Sequence, residues 1–323
     1  PGSIPGSILG SMPGSMPGTS QPPLVLFYTE GRTCWYCSTH QCLTAHQQRM
    51  HNPKMSPNAR RGPAWRAGGD VMMTTTTNLK DWTPPIPVYT EQQDGPIPKV
   101  ISNPPIENGN QWILPYWRQN PRGTGVSHCQ KHMSSKDYAG VLISTDAGKS
   151  WTPHGHIVQP GNHEYAGQPG VDRVIEGAIV PLALSAHDPN KQQQTELMQL
   201  FRTTRDTTYT STSHDSGITW SRPQRNNLPN PNTKMHAIRL SNGVLMAAYN
   251  HHKYKLRQRS NLFVATSSDR GVTWKVVAKV ESHFAPLRMF HYPTLIQVGC
   301  QVFVIYADHT NGIRLATLYL EFS

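Results

Sequence analysis

One turn recurs along this chain: Ser144-Thr-Asp146-Ala-Gly148-Lys-Ser150-Trp151, Ser213-His-Asp215-Ser-Gly217-Ile-Thr219-Trp220 and Ser267-Ser-Asp269-Arg-Gly271-Val-Thr273-Trp274. A motif that returns at intervals marks a supersecondary unit repeated in space, and few single-sequence features narrow the fold as far. The pattern S-x-D-x-G-x-[ST]-W suits a hairpin clamp. Its carboxylate accepts from turn amides, its glycine supplies a positive φ, and its tryptophan packs back under the turn. Buried tryptophans at equivalent places in successive units are therefore expected. A degraded fourth copy runs from Thr75 to Trp82; it lacks the glycine and has Asn78 or Thr77 in place of the aspartate.

The rest of the chain agrees with a repetitive all-β protein. Only 15% of residues are charged, and 28 prolines and 25 glycines interrupt every candidate helix, so short strands and turns dominate. Apolar segments fall into five groups, the last of which, from His291 to Thr317, lacks the turn. Within the fourth, Ser241-Asn242-Gly243 between two apolar runs signals a tight hairpin. Groups of about three or four antiparallel strands have the make-up of propeller blades. A β-sandwich or jelly roll is the structural alternative, but neither imposes a motif at a fixed place in each repeat.

The net charge of +11 favours an anionic ligand or reflects a solvated basic surface; both readings stay open. No nucleic-acid recognition module accompanies it. No apolar run approaches the roughly 20 residues that span a bilayer. Residues 1–20 stutter through Pro-Gly-Ser repeats, which predicts an unstructured tail ahead of one domain over 21–323. The five cysteines are Cys34, Cys37, Cys42, Cys129 and Cys300. Cys34-Trp-Tyr-Cys37, with His40, Cys42 and His46, supplies metal-ligand types, yet no second C-x-x-C completes a zinc site. Incidental thiols in a surface loop are favoured, with no metal and no cofactor.

With its repeated turns, and with Gly69-Asp-Val-Met-Met, Ile97-Pro-Lys-Val-Ile, Trp112-Ile-Leu-Pro, Leu228-Pro-Asn-Pro-Asn232, Ala248-Tyr-Asn250 and Tyr292-Pro-Thr-Leu-Ile-Gln297, the chain resembles the sialidase (neuraminidase) superfamily in its BNR-repeat-like branch. The resemblance extends from Leu24 to Leu318. It implies a six-bladed all-β propeller in which the turn is the Asp box, so that Asp146, Asp215 and Asp269 are structural. It also implies an exo-α-sialidase type of glycoside hydrolase acting on an acidic glycan. Such an enzyme needs arginines to grip a carboxylate, a tyrosine nucleophile and a glutamate to take the phenol proton. The matching positions are Tyr292 as nucleophile, Glu176 as its base, and Arg202 and Arg259 for the carboxylate, with Arg257 the nearest rival to Arg259. These four are expected to converge, with Tyr292 and Glu176 in hydrogen-bond reach. Structural readings stand beside them: Glu176 and Tyr292 as packing residues in strands, the arginines as partners of surface carboxylates.

The family's first arginine lies in a Phe/Tyr-Arg-Ile-Pro strand, and no such string occurs here. Five groups in place of six point to a missing or incomplete first blade, and with it a missing acid, so weak or absent turnover is expected. In another register, Leu24 to Arg32 supplies that strand and Asp70 the acid. Two other functions stay open. One is a polysaccharide lyase on uronic-acid polymers centred on Lys99, Tyr292 and His291; the other is a non-catalytic propeller that binds glycans or proteins.

Overall fold

The computed structural model describes residues 8–11, 23–30, 36–37, 64–65, 68–90, 92–93, 99–118, 138–158, 174–182, 195–203, 206–252, 259–283 and 288–320. Every regular element among them is a strand, so none is a helix able to cross a membrane. The chain divides into two units: Pro1–Ile101, Trp117–Asp137 and His163–Val171 form the first, and Ser102–Tyr116, Tyr138–Asn162 and Asp172–Ser323 the second.

In the first unit the strands are β1 (Ile8–Ser11), β2 (Leu24–Glu30), β3 (Tyr36–Cys37), β4 (Ala64–Trp65), β5 (Asp70–Thr76), β6 (Ile86–Tyr89) and β7 (Lys99–Val100). One sheet has the order β1-β2-β5-β6, and β3 pairs with β4. Val25 and Phe27 of β2 are buried on one side of the pleat, as period-two alternation requires. β1 lies inside the Pro-Gly-Ser stretch for which no structure was expected. It pairs antiparallel with β2 from Ile8↔Phe27 to Ser11↔Leu24, because an open edge of β2 offers a ready ladder to an extended segment. The remainder of residues 1–20 lies outside the described residues, as do Cys34, Cys42 and Cys129.

The second unit begins with β8 (Ile106–Asn108), β9 (Gln111–Arg118, its last two residues belonging to the first unit), β10 (Tyr138–Ser144) and β11 (Thr152–Ile157). Three sheets follow in chain order. They are β12 (Ile175–Pro181), β13 (Leu197–Arg202), β14 (Thr207–Ser213) and β15 (Gln224–Pro229); β16 (His236–Arg239), β17 (Leu245–Tyr249), β18 (Asn261–Ser267) and β19 (Lys275–Ser282); and β20 (Phe290–Val298), β21 (Gln301–Asp308) and β22 (Gly312–Tyr319). Each is an antiparallel meander. The first strands β12, β16 and β20 touch in succession, which is how blades pack about an axis. Apolar side chains fill the spaces between faces. Val180, Leu200 and Leu228 meet Ala237, Ala247 and Tyr249 in one layer; Met246, Ala248 and Val264 meet Leu295, Val304 and Tyr306 in the next. The far face of the last sheet carries exposed Ile296, Val298, Ile313, Leu315 and Tyr319. The fold is therefore all-β in a propeller arrangement. Its main sheets number five among the described residues, which differs from the six implied by the resemblance.

The repeated turns close the hairpins after the third strand of a blade, and their bonding is nearly identical. The serine Oγ donates to the aspartate at 2.8, 2.8 and 2.7 Å for Asp146, Asp215 and Asp269, and accepts the glycine N–H at 2.8 Å each time. The amide and hydroxyl of Ser150, Thr219 and Thr273 donate to the same carboxylates. The indoles of Trp151, Trp220 and Trp274 donate to the glycine carbonyls at 3.0, 2.9 and 3.1 Å. Positive φ extends to the residue before each glycine, Ala147, Ser216 and Arg270. Trp151 and Trp274 are buried, while Trp220 is only half-buried; it packs over Gly155 of the outer strand β11 and against the inner cluster. In the degraded copy Asn78 does the aspartate's work, its Oδ1 accepting from the amides of Lys80 and Asp81 at 2.9 and 2.8 Å.

Candidate active site

The ladders place the turns and the candidate residues at opposite ends of a blade. In the third sheet Ile175 faces Arg202 at one end, and Pro181 faces Leu197, which in turn faces Ser213, at the other. Glu176 and Arg202 therefore share the end remote from the Asp215 turn. Tyr292 opens β20 in the same sense, opposite the end of β21, and Arg259 precedes β18 at the corresponding end of its own sheet.

Two of these residues stand on deliberate irregularities. Register slips between Ile175 and Ala178 in β12, and again between His291 and Thr294 in β20. In each bulge a non-glycine residue takes a left-handed backbone, Glu176 at φ 54° and Tyr292 at φ 50°. Such a conformation costs of order 1–3 kcal/mol and, in a bulge, re-aims a side chain out of the pleat. The Glu176 bulge is held from outside its strand: Asn103 Nδ2 donates to the carbonyls of Glu176 and Gly177 at 3.0 and 2.9 Å. Gly177 itself leaves no room for a side chain, since a Cβ there would stand 2.0 Å from the Gln199 amide nitrogen. Neither Asn103 nor the bulges carried a signal in the sequence.

Around these backbones the side chains converge. Arg202 Nη1 donates to Glu176 Oε2 at 2.9 Å, and its Nε donates to Asn232 Oδ1 at 2.8 Å. Asn232 ends the Leu228-Pro-Asn-Pro-Asn232 run, in a turn braced by reciprocal bonds between Asn230 and Thr233. Arg202 and Arg259 both lie near enough to the Tyr292 phenol to bear on its ionisation, and the Arg259 guanidinium carbon lies 6.0 Å from the Tyr292 ring centroid. Arg259 Nη1 bonds His291 Nδ1. Tyr292 is 48% exposed whereas Glu176 is 5% exposed: the tyrosine is open to solvent over part of its surface and the carboxylate is not. The direct bond expected between them is replaced, since Glu176 spends its hydrogen bond on Arg202 and reaches Tyr292 through its charge.

That charge has consequences. The negative Glu176 is the leading cause that raises the Tyr292 phenol above its ordinary value; burial adds to it, and the two arginines oppose it. For Arg202, burial lowers the pKa, but the charge and hydrogen bond of Glu176 more than offset this and hold the guanidinium above its usual range. Burial, then Arg259 and His309, push the His291 imidazole down to about 4, so it is neutral near pH 7 and accepts from Arg259. Lys234 passed unnoticed in the sequence. It is buried between these groups, its Nζ donating to Pro293 O at 2.5 Å and to Thr294 Oγ1 at 3.4 Å.

The remaining candidates belong to the first unit. Asp70 opens β5 opposite Glu30. Lys99 is fully buried, with Nζ donating to Thr90 O at 2.9 Å and 4.8 Å from the Tyr89 ring centroid. Arg118 ends β9 opposite Lys99, the place Arg202 holds at the end of β13. Arg32 and Arg257 lie outside the described residues, and no cluster of metal ligands occurs among the described ones.

The sequence pattern of the BNR repeat-like domain matches residues 20–304. The chain belongs to the BNR repeat-like family. No curated protein matches it. Among solved structures it resembles the NanB sialidase of Streptococcus pneumoniae in its K499G form, with 16% identity and a TM-score of 0.52, covering 77% of this chain and 36% of that one. A leech intramolecular trans-sialidase gives 15% identity and 0.53 over 81% and 38%. An α-L-arabinanase of Penicillium chrysogenum gives 12% identity and 0.55 over 98% and 76%. This BNR chain thus spans little more than a third of the sialidases it resembles, and identities this low establish the shared fold. The BNR-repeat family and the propeller arrangement expected from the sequence are borne out, with five main sheets among the described residues in place of six.

Proposed function

We propose that this BNR-family chain is a sialidase-like glycoside hydrolase acting on an acidic sugar. One observation carries the reading. Strained bulges on β12 and β20 carry a glutamate and an exposed tyrosine close enough for the carboxylate charge to bear on the phenol, beside Arg202 and Arg259. Structural packing does not call for a half-exposed, left-handed tyrosine near a buried carboxylate.

In the proposed reaction Arg259 and Arg202 bind the sugar carboxylate, for which guanidinium forks are suited. A carboxylate entering there competes with Glu176 for Arg202 and releases Glu176 to take the Tyr292 proton. The phenolate oxygen then bonds the anomeric carbon as the glycosidic C–O bond breaks, and water later cleaves the tyrosyl intermediate. The departing oxygen needs a proton unless it is already a stable anion. The arginine that the resemblance assigns to a first blade has no matching string in this chain, and none of the four residues above is left to act as the acid. Aryl sialosides, whose leaving groups need little protonation, should accordingly be cleaved slowly and alkyl sialosides hardly at all. Loss of the aryl activity in Tyr292→Phe, with sialic acid binding kept by that variant and lost in Arg259→Met, is the expected result. Absence of sialic acid binding, or aryl turnover undiminished in Tyr292→Phe, would overturn the proposal.

A further inference from the structure

The backbone that carries Tyr292 lacks the bonds an ordinary strand would give it. Tyr292 and Pro293 fall in the slipped register between His291 and Thr294, and a proline has no N–H to offer a neighbour. A residue before proline is also restricted in its backbone, yet Tyr292 is held at φ 50°. Side chains of the adjacent sheet take over. Asn250 Nδ2 donates to Phe290 O at 3.2 Å before the bulge, and His236 Nδ1 accepts the Leu295 N–H at 3.0 Å after it. Lys234 acts on the bulge itself, through Pro293 O and Thr294 Oγ1.

For a purely structural strut a neutral donor would serve, and burying an ammonium is costly unless its charge is used. Neither of its hydrogen-bond partners carries a charge. The charge that bears on it is Glu176, the same carboxylate that governs Tyr292. We propose that Lys234 is a positioning residue for Tyr292, pinning the bulge from below while its protonation state sets the field in which Glu176 and the phenol work. The inference rests on Tyr292 and Glu176 being the working pair.

Among the described residues Glu176 on β12 is the charge that bears on Lys234, and Arg202 on β13 is bonded to that carboxylate; His236 lies just beyond Lys234 in its own segment, and Tyr292 on β20 precedes the proline that Lys234 holds. Burial pulls the ammonium down to about 7, and the Glu176 charge works against that fall. Burial and the neighbouring Lys234 hold His236 well below its usual range, so it stays neutral throughout. Near neutral pH the lysine is thus the member of this group that changes charge, and both Glu176 and the bulge feel the change.

The test is an NMR titration of the whole chain with tyrosine labelled at 13Cζ, the Tyr292 resonance being identified by its loss in Tyr292→Phe. The expected result is an inflection of that resonance near pH 7, distinct from the phenol's own ionisation. It should vanish in Lys234→Met, and also in Lys234→Arg, whose guanidinium does not titrate there. A flat resonance between about pH 6 and 8 in the native chain would overturn the inference. So would an inflection that survives in either variant, or one that disappears in His309→Gln. If Lys234→Met does not fold, the native titration and Lys234→Arg still decide. Sialoside turnover is not read here, so a failed hydrolase reading and a failed Lys234 reading give different results.

Discussion

Replacing Asp215 by alanine isolates what an Asp box contributes. The side chain accepts from Ser213 Oγ at 2.8 Å, from the Thr219 amide at 2.9 Å and from Thr219 Oγ1 at 2.5 Å. Each such bond is worth about 0.5–1.5 kcal/mol net, but the turn is at the surface, where water replaces part of what is lost. The Ser213 bond to the Gly217 amide also survives. The balance is a loss of about 1–2 kcal/mol, comparable with removal of a helix N-cap, or roughly 3–6 °C in melting temperature for a cooperative unit of this size. Asp215→Asn should recover most of it, because Asn78 already fills this place in the degraded turn. The effect should also depend on acid. Burial raises the Asp215 pKa, but the bonds from Thr219 and Ser213 lower it more. A depressed carboxylate stabilises the fold above its unfolded pKa of about 4, and loses that contribution as pH falls through the folded value. The gap between native chain and Asp215→Ala should therefore close in acid. Thermal melts at several pH values test this. An unchanged midpoint, a gap that widens in acid, or an asparagine variant as weak as the alanine one would refute the reasoning.

Two further outcomes follow from the site. Glu176→Gln removes the leading cause that raises the Tyr292 phenol, so that phenol should ionise at lower pH in the variant, as read from the same 13Cζ signal; an unchanged or higher midpoint would mean the two groups are not coupled. His291, identified by its loss in His291→Gln, should titrate at about 4 by NMR. Its folded pKa lies below the ordinary value near 6.5, so the unfolded chain binds more protons between about 4 and 6.5. The stability from neutral His291 is present above that window and lost as pH falls through it, and a midpoint near 6.5 would exclude the bond from Arg259.

The Asp boxes were legible because their physics is local. Serine, aspartate, glycine and tryptophan within eight positions make nearly all the bonds of the turn among themselves, and an element closed over so short a span is written in the order of its residues. The all-β class followed from the same turns, whereas Glu176, Arg202, Arg259 and Tyr292 were singled out through the family resemblance. What the sequence could not show was anything that depends on partners far along the chain. The Glu176 bulge is held by Asn103 from 73 residues away, the Tyr292 bulge by Lys234 from the segment before β16, and the hydrogen bond expected between Glu176 and Tyr292 went to Arg202. A register slip leaves no mark on composition or periodicity, because it costs the strand a rung that a side chain from elsewhere in the chain must supply. Only the packing of β12, β16 and β20 side by side brings those side chains within reach.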